Sequence, residues 1–272
     1  MTAHINRLEK TLKATLPPHE FQHICTYLFS NPGKLFRSTL IQNLAKDLGL
    51  GPSQKNDIEL LEAFIEIHHT YTLIHDDLPS MDDDKTRRGL ESTHIRYGEA
   101  NAVLAGDALI ISSFNTLSKM KGQYISKMLK LTTWATGAKG LINGQYLDLQ
   151  NHEKSFEEIL RIYELKTSRL FQICTLGTYF IQQDGNEIEY KKLKDFMRIG
   201  SYVGILFQLL DDFHDRNDTG AKFNNLFYID EVRASEYLRK YSEKLGHILS
   251  RYQLRESQKQ LSAYTKSVGA SI

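Results

Sequence analysis

The chain has 272 residues, a net charge of +1, 41% hydrophobic residues and 25% charged residues. These values are ordinary for a globular protein, and the length is compatible with one large domain. The near-neutral charge argues against a nucleic-acid-binding protein, which is usually basic. No apolar run is long enough to span a membrane, and the two cysteines, Cys25 and Cys174, do not suggest a disulfide framework.

The N-terminal residues lack the apolar core of a signal peptide, so we expect a cytoplasmic protein. Strand signals are nearly absent, and we find no internal repeat or linker. The sequence therefore predicts an all-α fold, in which one domain covering residues 1–272 is a bundle of long helices around a central cavity. In chain order, the predicted helices are 8–16, 20–29, 35–48, 57–78, 100–117, 124–149, 156–181, 187–213 and 231–252.

Glycines within two of these helices are expected to have packing roles. Gly137, Gly140 and Gly144 indicate bends or close helix approaches. Gly106 and Asp107 are interpreted as structural, with a close helix approach and a local hydrogen bond. Beyond Leu254 the chain is polar and only weakly patterned.

One long predicted helix, 57–78, changes character along its length. Leu61, Ile65, His69, Thr72 and Asp76 form a stripe at helical spacing that is apolar at the start and polar at the end. Such a gradient suits a pocket that is apolar deep inside and ionic at its mouth.

The end of this helix carries a dense acidic cluster followed by basic residues. The aspartates are Asp76, Asp77, Asp82, Asp83 and Asp84, and the cations that follow are Lys85, Arg87 and Arg88. Carboxylates this close repel one another unless cations lie between them. Mg²⁺ typically binds one or two carboxylates plus substrate phosphates, and arginine matches phosphate oxygens. The cluster therefore indicates a site for Mg²⁺ and a phosphorylated ligand, the alternative being a solvated loop between two helices.

A second acidic cluster, FQLLDDFHD at 207–215, favours the first interpretation. Asp211 and Asp215 are four residues apart and share a helix face, with Asp212 beside them and Gln208 one turn earlier. Acidic residues at a helix C-terminus oppose the macrodipole, which argues against a merely solvated helix end. The two clusters together predict two helices that face each other across magnesium and a diphosphate.

Between residues 33 and 215 the chain contains, in order, GKLFR, IHHTYTLIHDDLPSMDDDKTRRG, GEANAVLAGDAL, GQYLDL, ELKTSRLF and FQLLDDFHD. In these segments it resembles the trans-polyprenyl diphosphate synthases, and among them the bacterial farnesyl diphosphate synthases. The resemblance implies an isoprenoid synthase fold, two to three Mg²⁺ ions and a homodimer. It also implies condensation of isopentenyl diphosphate with dimethylallyl or geranyl diphosphate, through magnesium-assisted ionisation, to give farnesyl diphosphate.

The resemblance also assigns roles to individual residues. The implied metal ligands are Asp76, Asp77, Asp82, Asp211, Asp212 and Asp215. Asp83 and Asp84 are expected behind these ligands or in solvent. The implied diphosphate-binding residues are Gly33, Lys34, Arg37, His69, Arg87, Arg88, Lys166 and Lys222, with Arg87 on the allylic substrate and Arg88 on isopentenyl diphosphate.

Further residues follow from the same resemblance. Lys166 is expected to contact the leaving group, while Thr167 and Gln208 face the developing carbocation. Gln145 and Asp148 are expected to support the site or to pack. Without the resemblance, Lys34 and Arg37 read as solvated helix-start charges and His69 as a core histidine. His68 and His75 are interpreted as structural.

Tyr71 and Thr72, five and four residues before Asp76, are predicted to set product length. The family's bacterial farnesyl synthases combine an aromatic residue at the first position with two extra residues in the acidic motif, and this chain has both. We expect the stiff ring of Tyr71 to stop growth at fifteen carbons. The alternatives are that Tyr71 only packs between helices, and that the product is geranylgeranyl diphosphate or another length.

The chain departs from the family after Asp215, where RNDTGAKFNNLFYIDEV is short by about one loop. Lys222 is aligned with the last of the family's lysines there, and Ser168 stands where the family usually has glycine. The segment 265–272 also lacks the expected basic ending. These losses leave open a low-activity regulatory or binding paralogue.

Two other enzyme classes are disfavoured. A class I terpene cyclase would need serine or threonine and glutamate where Ala221 and Asn225 stand. Head-to-head synthases of the squalene type lack the GKxxR and RRG motifs found here.

Overall fold

A computed structural model of the chain describes residues 11, 14–16, 18–150, 152–216 and 225–267. The chain divides into two compact units. Unit 1 comprises Met1–Thr39 and Gly51–Ile125, and unit 2 comprises Leu40–Leu50 and Ser126–Ile272. The single-domain organisation stays a prediction.

Unit 1 is built on two long helices and one short ribbon. Its elements are α1 (Gln22–Cys25), a 3-10 turn (Tyr27–Ser30), the start of α2 (Phe36–Asp47), α3 (Lys55–Asp76), β1 (Thr86–Arg87), β2 (Leu90–Glu91), α4 (Thr93–Tyr97) and α5 (Glu99–Ser118). Helix α3 packs on α5, and apolar side chains from both helices share one buried cluster. At Gly106 of α5, a Cβ atom would collide with the imidazole ring of His75. The interpretation of Gly106 as a close helix approach is thus confirmed.

Unit 2 contains the rest of α2 and the remaining helices. These are α6 (Ile125–Thr136), α7 (Leu141–Asp148), α8 (Phe156–Ile162), a π-helical turn (Tyr163–Ser168), α9 (Arg169–Gln183), α10 (Tyr190–Asp215), α11 (Leu226–Ile229), α12 (Glu231–Arg251) and α13 (Arg255–Ser267). Helix α8 begins at a capping box in which Ser155 and Glu158 satisfy each other's backbone N–H groups. Helix α10 packs against α9 and α12 and carries the second acidic cluster at its end.

The predicted all-α class is confirmed. The long helices predicted at 57–78, 187–213 and 231–252 correspond to α3, α10 and α12, with ends shifted by at most three residues. These helices have strong apolar periodicity and long buried faces, which is why sequence locates them. The predicted helix 8–16 lies mostly outside the described residues. Among those residues, no helix has an apolar stretch sufficient to cross a membrane.

Two predicted helices are wrong as single elements. Residues 20–29 form α1 and the separate 3-10 turn instead of one helix. Residues 124–149 form α6 and α7, because the chain turns between Gly137 and Gly140. A Cβ atom at Gly140 would collide with the carbonyl oxygen of Ala135, so this turn requires glycine.

Helix α13 was not predicted, because its sequence is strongly polar. Its first turn is held from α2, where the Asp47 carboxylate accepts the backbone N–H groups of Glu256 and Ser257 at 2.9 Å each. The Ser257 hydroxyl donates to the same carboxylate at 2.7 Å. One turn later, the Asn43 amide donates to the Gln260 side chain at 2.9 Å. Tertiary hydrogen bonds therefore anchor this polar helix.

Candidate functional site

The RRG motif forms a two-residue β-hairpin turn in unit 1. Strands β1 and β2 pair Arg87 with Leu90, and the turn between them is Arg88–Gly89. Both turn residues have positive φ, 54° at Arg88 and 77° at Gly89, as the twist-matched type I′ turn requires. The turn places Arg87 on a strand and Arg88 at the tip, so the two guanidinium groups have different partners.

Arg87 is bound by two carboxylates of the first acidic cluster. Its Nε donates to Asp77 Oδ1 at 2.8 Å, and its Nη2 donates to Asp84 Oδ2 at 2.6 Å and also to Asp77 Oδ1. Burial raises the pKa of the fully buried Asp77 carboxyl, and the Arg87 hydrogen bond opposes that shift. Asp77 therefore holds Arg87 in this structure, and its role as a metal ligand stays a prediction. Asp84 shares the Arg87 guanidinium with Asp77, and its place relative to a metal stays a prediction.

Arg88 lies against the loop that carries Gly33. A Cβ atom at Gly33 would come within 2.9 Å of Arg88 Nε, and Gly33 itself has a φ of +71°. The Asn31 amide donates to the Arg88 carbonyl at 2.7 Å. The positive φ of Gly33 favours glycine, and the Arg88 side chain lies beside the place that a Cβ atom would take. The GKLFR and RRG motifs are therefore in contact at Gly33.

His69 on α3 is influenced by the charges of arginines from both motifs. Burial lowers the pKa of His69 well below its usual range, and the charges of Arg37, Arg88 and Arg87 lower it further. The imidazole is therefore neutral and can donate one hydrogen bond while three guanidinium groups supply positive charge. Lys34 is exposed just before α2. This arrangement within unit 1 is suited to an anion.

Glu66 is a member of this group that sequence reasoning missed. It is 4% exposed, one helical turn before His69, and its Oε1 accepts the backbone N–H of Ser38 at 3.1 Å. Burial raises its pKa, while the Ser38 hydrogen bond and the charges of Arg37 and Arg88 oppose the rise. A glutamate inside the apolar part of α3 was the signal that could have identified it.

The loop after α3 brings Asp76 and Asp82 together at the level of the backbone. The Asp82 N–H donates to the Asp76 carbonyl at 2.9 Å, and Met81 N–H donates to the Leu78 carbonyl at 2.8 Å. Asp76 is half-buried and Asp82 is exposed. The chain therefore folds back on itself between Asp76 and Asp82.

Carboxylate oxygens of this kind suit a hard cation such as Mg²⁺. Across the described part of the chain, no three acidic, histidine or cysteine side chains are grouped so that they could hold a metal ion alone. Magnesium usually keeps water and phosphate oxygens as further ligands, so the Asp76 and Asp82 donor set is compatible with it.

Tyr71 is wedged between two histidine rings of α3. Its ring centroid lies 4.6 Å from that of His68 and 5.8 Å from that of His75, both edge-on. His68 accepts or donates a 2.9 Å hydrogen bond with Ser113, and burial lowers the pKa of His68 to about 3. The structural interpretation of His68 is thus confirmed. The Thr72 hydroxyl donates to the His69 carbonyl at 2.8 Å, and the chain-length roles of Tyr71 and Thr72 stay predictions.

Three further predicted residues meet within unit 2. Lys166 and Thr167 lie on the π-helical turn, an irregularity that is frequent at functional sites. Thr167 Oγ1 donates to Gln208 Oε1 at 2.7 Å, and Lys166 Nζ pairs with Asp148 Oδ2 at 2.8 Å. Asp148 therefore supports Lys166, as expected, and the amide nitrogen of Gln208 is oriented by Thr167.

Ser168 ends this π-helical turn. It is fully buried, and its hydroxyl approaches two backbone carbonyls, those of Tyr163 at 3.3 Å and Ser201 at 3.1 Å. A Cβ atom at Gly204 would collide with Ser168. The serine is thus accommodated by a glycine on the neighbouring helix α10.

Asp212 is buried and bonded to protein groups. Its Oδ2 accepts the Tyr163 hydroxyl at 2.5 Å and the Leu226 N–H at 2.8 Å. The Asn225 amide donates to the Asp212 carbonyl at 2.9 Å, and Asn225 also caps α11. Asp212 therefore holds Asn225 and Leu226, at the start of α11, against the end of α10. This is a structural role, and its role as a metal ligand stays a prediction.

The remaining predicted ligands differ in their surroundings. Asp211 is half-buried and accepts a 2.8 Å hydrogen bond from the Tyr264 hydroxyl, whereas Asp215 is exposed. Tyr163, Asn225 and Tyr264 were not singled out from sequence, since nothing local marks their contacts with α10. Lys222 lies outside the described residues, so its role stays a prediction.

Comparison with known sequences identifies one family. The profile of the family described as polyprenyl synthetase matches residues 18–235. The chain is similar to the farnesyl diphosphate synthase of Bacillus subtilis, with 36% identity over 75% of this chain and 69% of the relative. It is also similar to that of Micrococcus luteus, with 34% identity over 70% and 64%. A geranylgeranyl diphosphate synthase of Cyanophora paradoxa is 34% identical over 58% and 54%. The matched segments span about half to two thirds of these relatives.

Comparison with solved structures gives the same fold. A geranyltransferase from Helicobacter pylori is similar with a TM-score of 0.84 and 28% identity, over 98% of this chain and 96% of that one. The Helicobacter pylori geranyltransferase complexed with magnesium and isoprenyl diphosphate has a TM-score of 0.80 and 26% identity, over 98% and 95%. The predicted isoprenoid synthase fold is confirmed.

The buried Asp212 carboxyl leads to a prediction about pH. Burial raises its pKa from 3.8 to about 6, with smaller contributions from neighbouring groups. The folded protein therefore holds this proton more tightly than the unfolded chain, so the group's stabilising contribution is present below pH 4 and is lost as pH rises through 6. In metal-free buffer, the stability of the native protein relative to Asp212→Asn should fall by about 1–3 kcal/mol from pH 4 to 7.

Urea unfolding at several pH values measures this difference. Asp215→Asn, at an exposed position of the same cluster, is the matched control and should show a nearly constant difference from the native protein. If the stability difference between the native protein and Asp212→Asn also stayed constant with pH, the raised pKa of Asp212 would be contradicted.

Proposed function

The chain belongs to the polyprenyl synthetase family, and on that premise we propose that it condenses isopentenyl diphosphate with dimethylallyl and geranyl diphosphates to give farnesyl diphosphate. The curated relatives named farnesyl diphosphate synthase and the geranyltransferase structures support this activity. The reaction class requires an anion site for each diphosphate, metal ligands for the ionising substrate, and polar groups near the developing cation.

One observation carries the proposal. Within unit 1, the charges of Arg37, Arg88 and Arg87 act on His69 and add to the lowering of its pKa by burial, and the same unit folds Asp82 back onto Asp76. A group of cations beside carboxylates of this kind is suited to a diphosphate that is bound together with a divalent metal. We assign isopentenyl diphosphate to Lys34, Arg37, His69 and Arg88, with Gly33 giving Arg88 its space.

The residues of unit 2 have complementary proposed roles. Lys166, oriented by Asp148, contacts the diphosphate leaving group. Thr167 donates to Gln208 Oε1, so this carbonyl oxygen is fixed and its second lone pair can stabilise positive charge on the allyl group. Asp76, Asp82 and Asp211 are the leading magnesium ligands, and Asp215 assists. Magnesium, when bound, would neutralise the diphosphate and make it a better leaving group.

The direct experiment incubates the protein with Mg²⁺, isopentenyl diphosphate and each allylic diphosphate in turn, and measures product chain length. Fifteen-carbon product supports the proposal. Twenty-carbon product would assign a geranylgeranyl synthase, and an absence of turnover with folded protein would favour a regulatory or binding paralogue.

The metal assignment predicts that Asp76→Ala and Asp211→Ala each lower turnover by about a hundredfold or more, because an essential carboxylate is lost. Circular dichroism should show unchanged helix content. Asp107→Ala removes an exposed aspartate of α5 and should leave turnover unaffected. Near-normal turnover of either site variant at saturating substrate would contradict the assignment.

The product-length assignment predicts that Tyr71→Ala yields twenty-carbon or longer products, because the stiff ring no longer limits chain growth. Tyr71→Phe keeps the ring and should still stop at fifteen carbons. Products are separated by chromatography after dephosphorylation. If folded Tyr71→Ala still stopped at fifteen carbons, Tyr71 would be a packing residue only.

We also propose a homodimer, supported by an exposed apolar stripe on α5. Val103, Leu104 and Ile111 are 40%, 56% and 71% exposed at helical spacing. An apolar stripe of this kind is suited to burial against a second copy of the chain.

Ile111→Lys should shift the protein toward monomer in sedimentation equilibrium, whereas Val232→Lys, at an equally exposed valine of α12, should not. An unchanged dimer in Ile111→Lys, or a monomeric native protein, would refute this assignment.

A further inference from the structure

Tyr264 of α13 contacts the leading aspartate of the second acidic cluster. Its hydroxyl donates to Asp211 Oδ1 at 2.8 Å. Its ring stacks on Phe207 of α10, with centroids 4.9 Å apart and planes 5° from parallel. Tyr264 is buried, and all three residues belong to unit 2. The stack fixes the ring, so the direction of the hydroxyl toward Asp211 is fixed as well.

Helix α13 is itself held at successive turns along one face. Asp47 binds the N–H and hydroxyl of Ser257, Asn43 binds Gln260, and Asp211 binds Tyr264. The spacing of three to four residues places these contacts on the same side of the helix. The hydrogen bond from Tyr264 to Asp211 is therefore one of several contacts that hold this face of α13.

An ionised carboxylate has about four lone-pair positions, so Asp211 can accept the hydroxyl and still bind a cation. Hydrogen bonds to a metal-binding carboxylate fix its orientation, and their loss commonly costs about 10- to 100-fold in metal affinity.

We propose that Tyr264 is a positioning residue that orients Asp211 and so sets the magnesium affinity of the second acidic cluster. This inference rests on the proposed function only in taking Asp211 as a magnesium ligand. It gives the polar C-terminal helix a role in the reaction, although no residue of that helix contacts substrate in the proposal.

The test uses Tyr264→Phe, which keeps the stack on Phe207 and removes only the hydroxyl. The matched control is Tyr252→Phe, because the Tyr252 hydroxyl donates to Asp195 at 3.0 Å in the same unit. Two quantities are measured for each protein. One is the Mg²⁺ concentration for half-maximal turnover, and the other is the affinity for Mg²⁺ by calorimetry in the presence of inorganic pyrophosphate.

Tyr264→Phe should raise the half-maximal Mg²⁺ concentration about tenfold and weaken the calorimetric affinity by a similar factor. Its kcat at saturating Mg²⁺ should stay within about twofold of the native value, since excess metal restores the occupied site. Tyr252→Phe should leave both magnesium measurements unchanged.

Native magnesium affinity in Tyr264→Phe would overturn the proposal, and so would equal shifts in both variants, which would indicate a general loss of stability. If the native protein gave no turnover, the proposed function would fail on its own. Weaker calorimetric binding by Tyr264→Phe would then still support the positioning role, and equal binding would still refute it.

Discussion

Three arginines, Arg37, Arg87 and Arg88, share one half-buried region of unit 1 with the neutral His69. Two like charges about 6 Å apart repel by about 3 kcal/mol at an effective dielectric constant of about 20. The folded chain offsets this repulsion with Glu66 near Arg37 and Arg88, and with Asp77 and Asp84 on Arg87. Asp77 and Asp84 thus hold Arg87 in place without ligand, at the cost of balancing part of its charge. Preorganisation of this kind avoids the cost of ordering long side chains on binding.

Unit 2 holds its charged groups in a different way. Asp211 and Asp212 accept hydrogen bonds from tyrosine hydroxyls, and Asp212 also accepts a backbone N–H. Neutral donors orient a carboxylate without cancelling its charge, so a carboxylate held by a hydroxyl keeps its attraction for a cation. A carboxylate held by arginine, as Asp77 is, has part of that attraction already satisfied. The two acidic clusters therefore look alike in sequence but differ in how much of their charge remains available.

The sequence was sufficient for the long helices, because they depend on local periodicity. It was not sufficient for Glu66, whose partner Ser38 is 28 residues away in the chain. Helix α13 escaped prediction because Asp47 fixes its first turn from about two hundred residues earlier. The π-helical turn could not be predicted from the sequence, since one extra residue in a helix does not change the local composition. In each case the missing information is a tertiary contact.

The pairing of Ser168 with Gly204 has a consequence for how this sequence can diverge. A Cβ atom at Gly204 would lie 2.4 Å from the Cα atom of Ser168 as well as from its hydroxyl oxygen, so α10 closely approaches the backbone of the π-helical turn. Position 204 therefore has to remain glycine whatever side chain stands at position 168. The constraint is one-sided: a change at 168 does not free position 204, although the two positions are in contact.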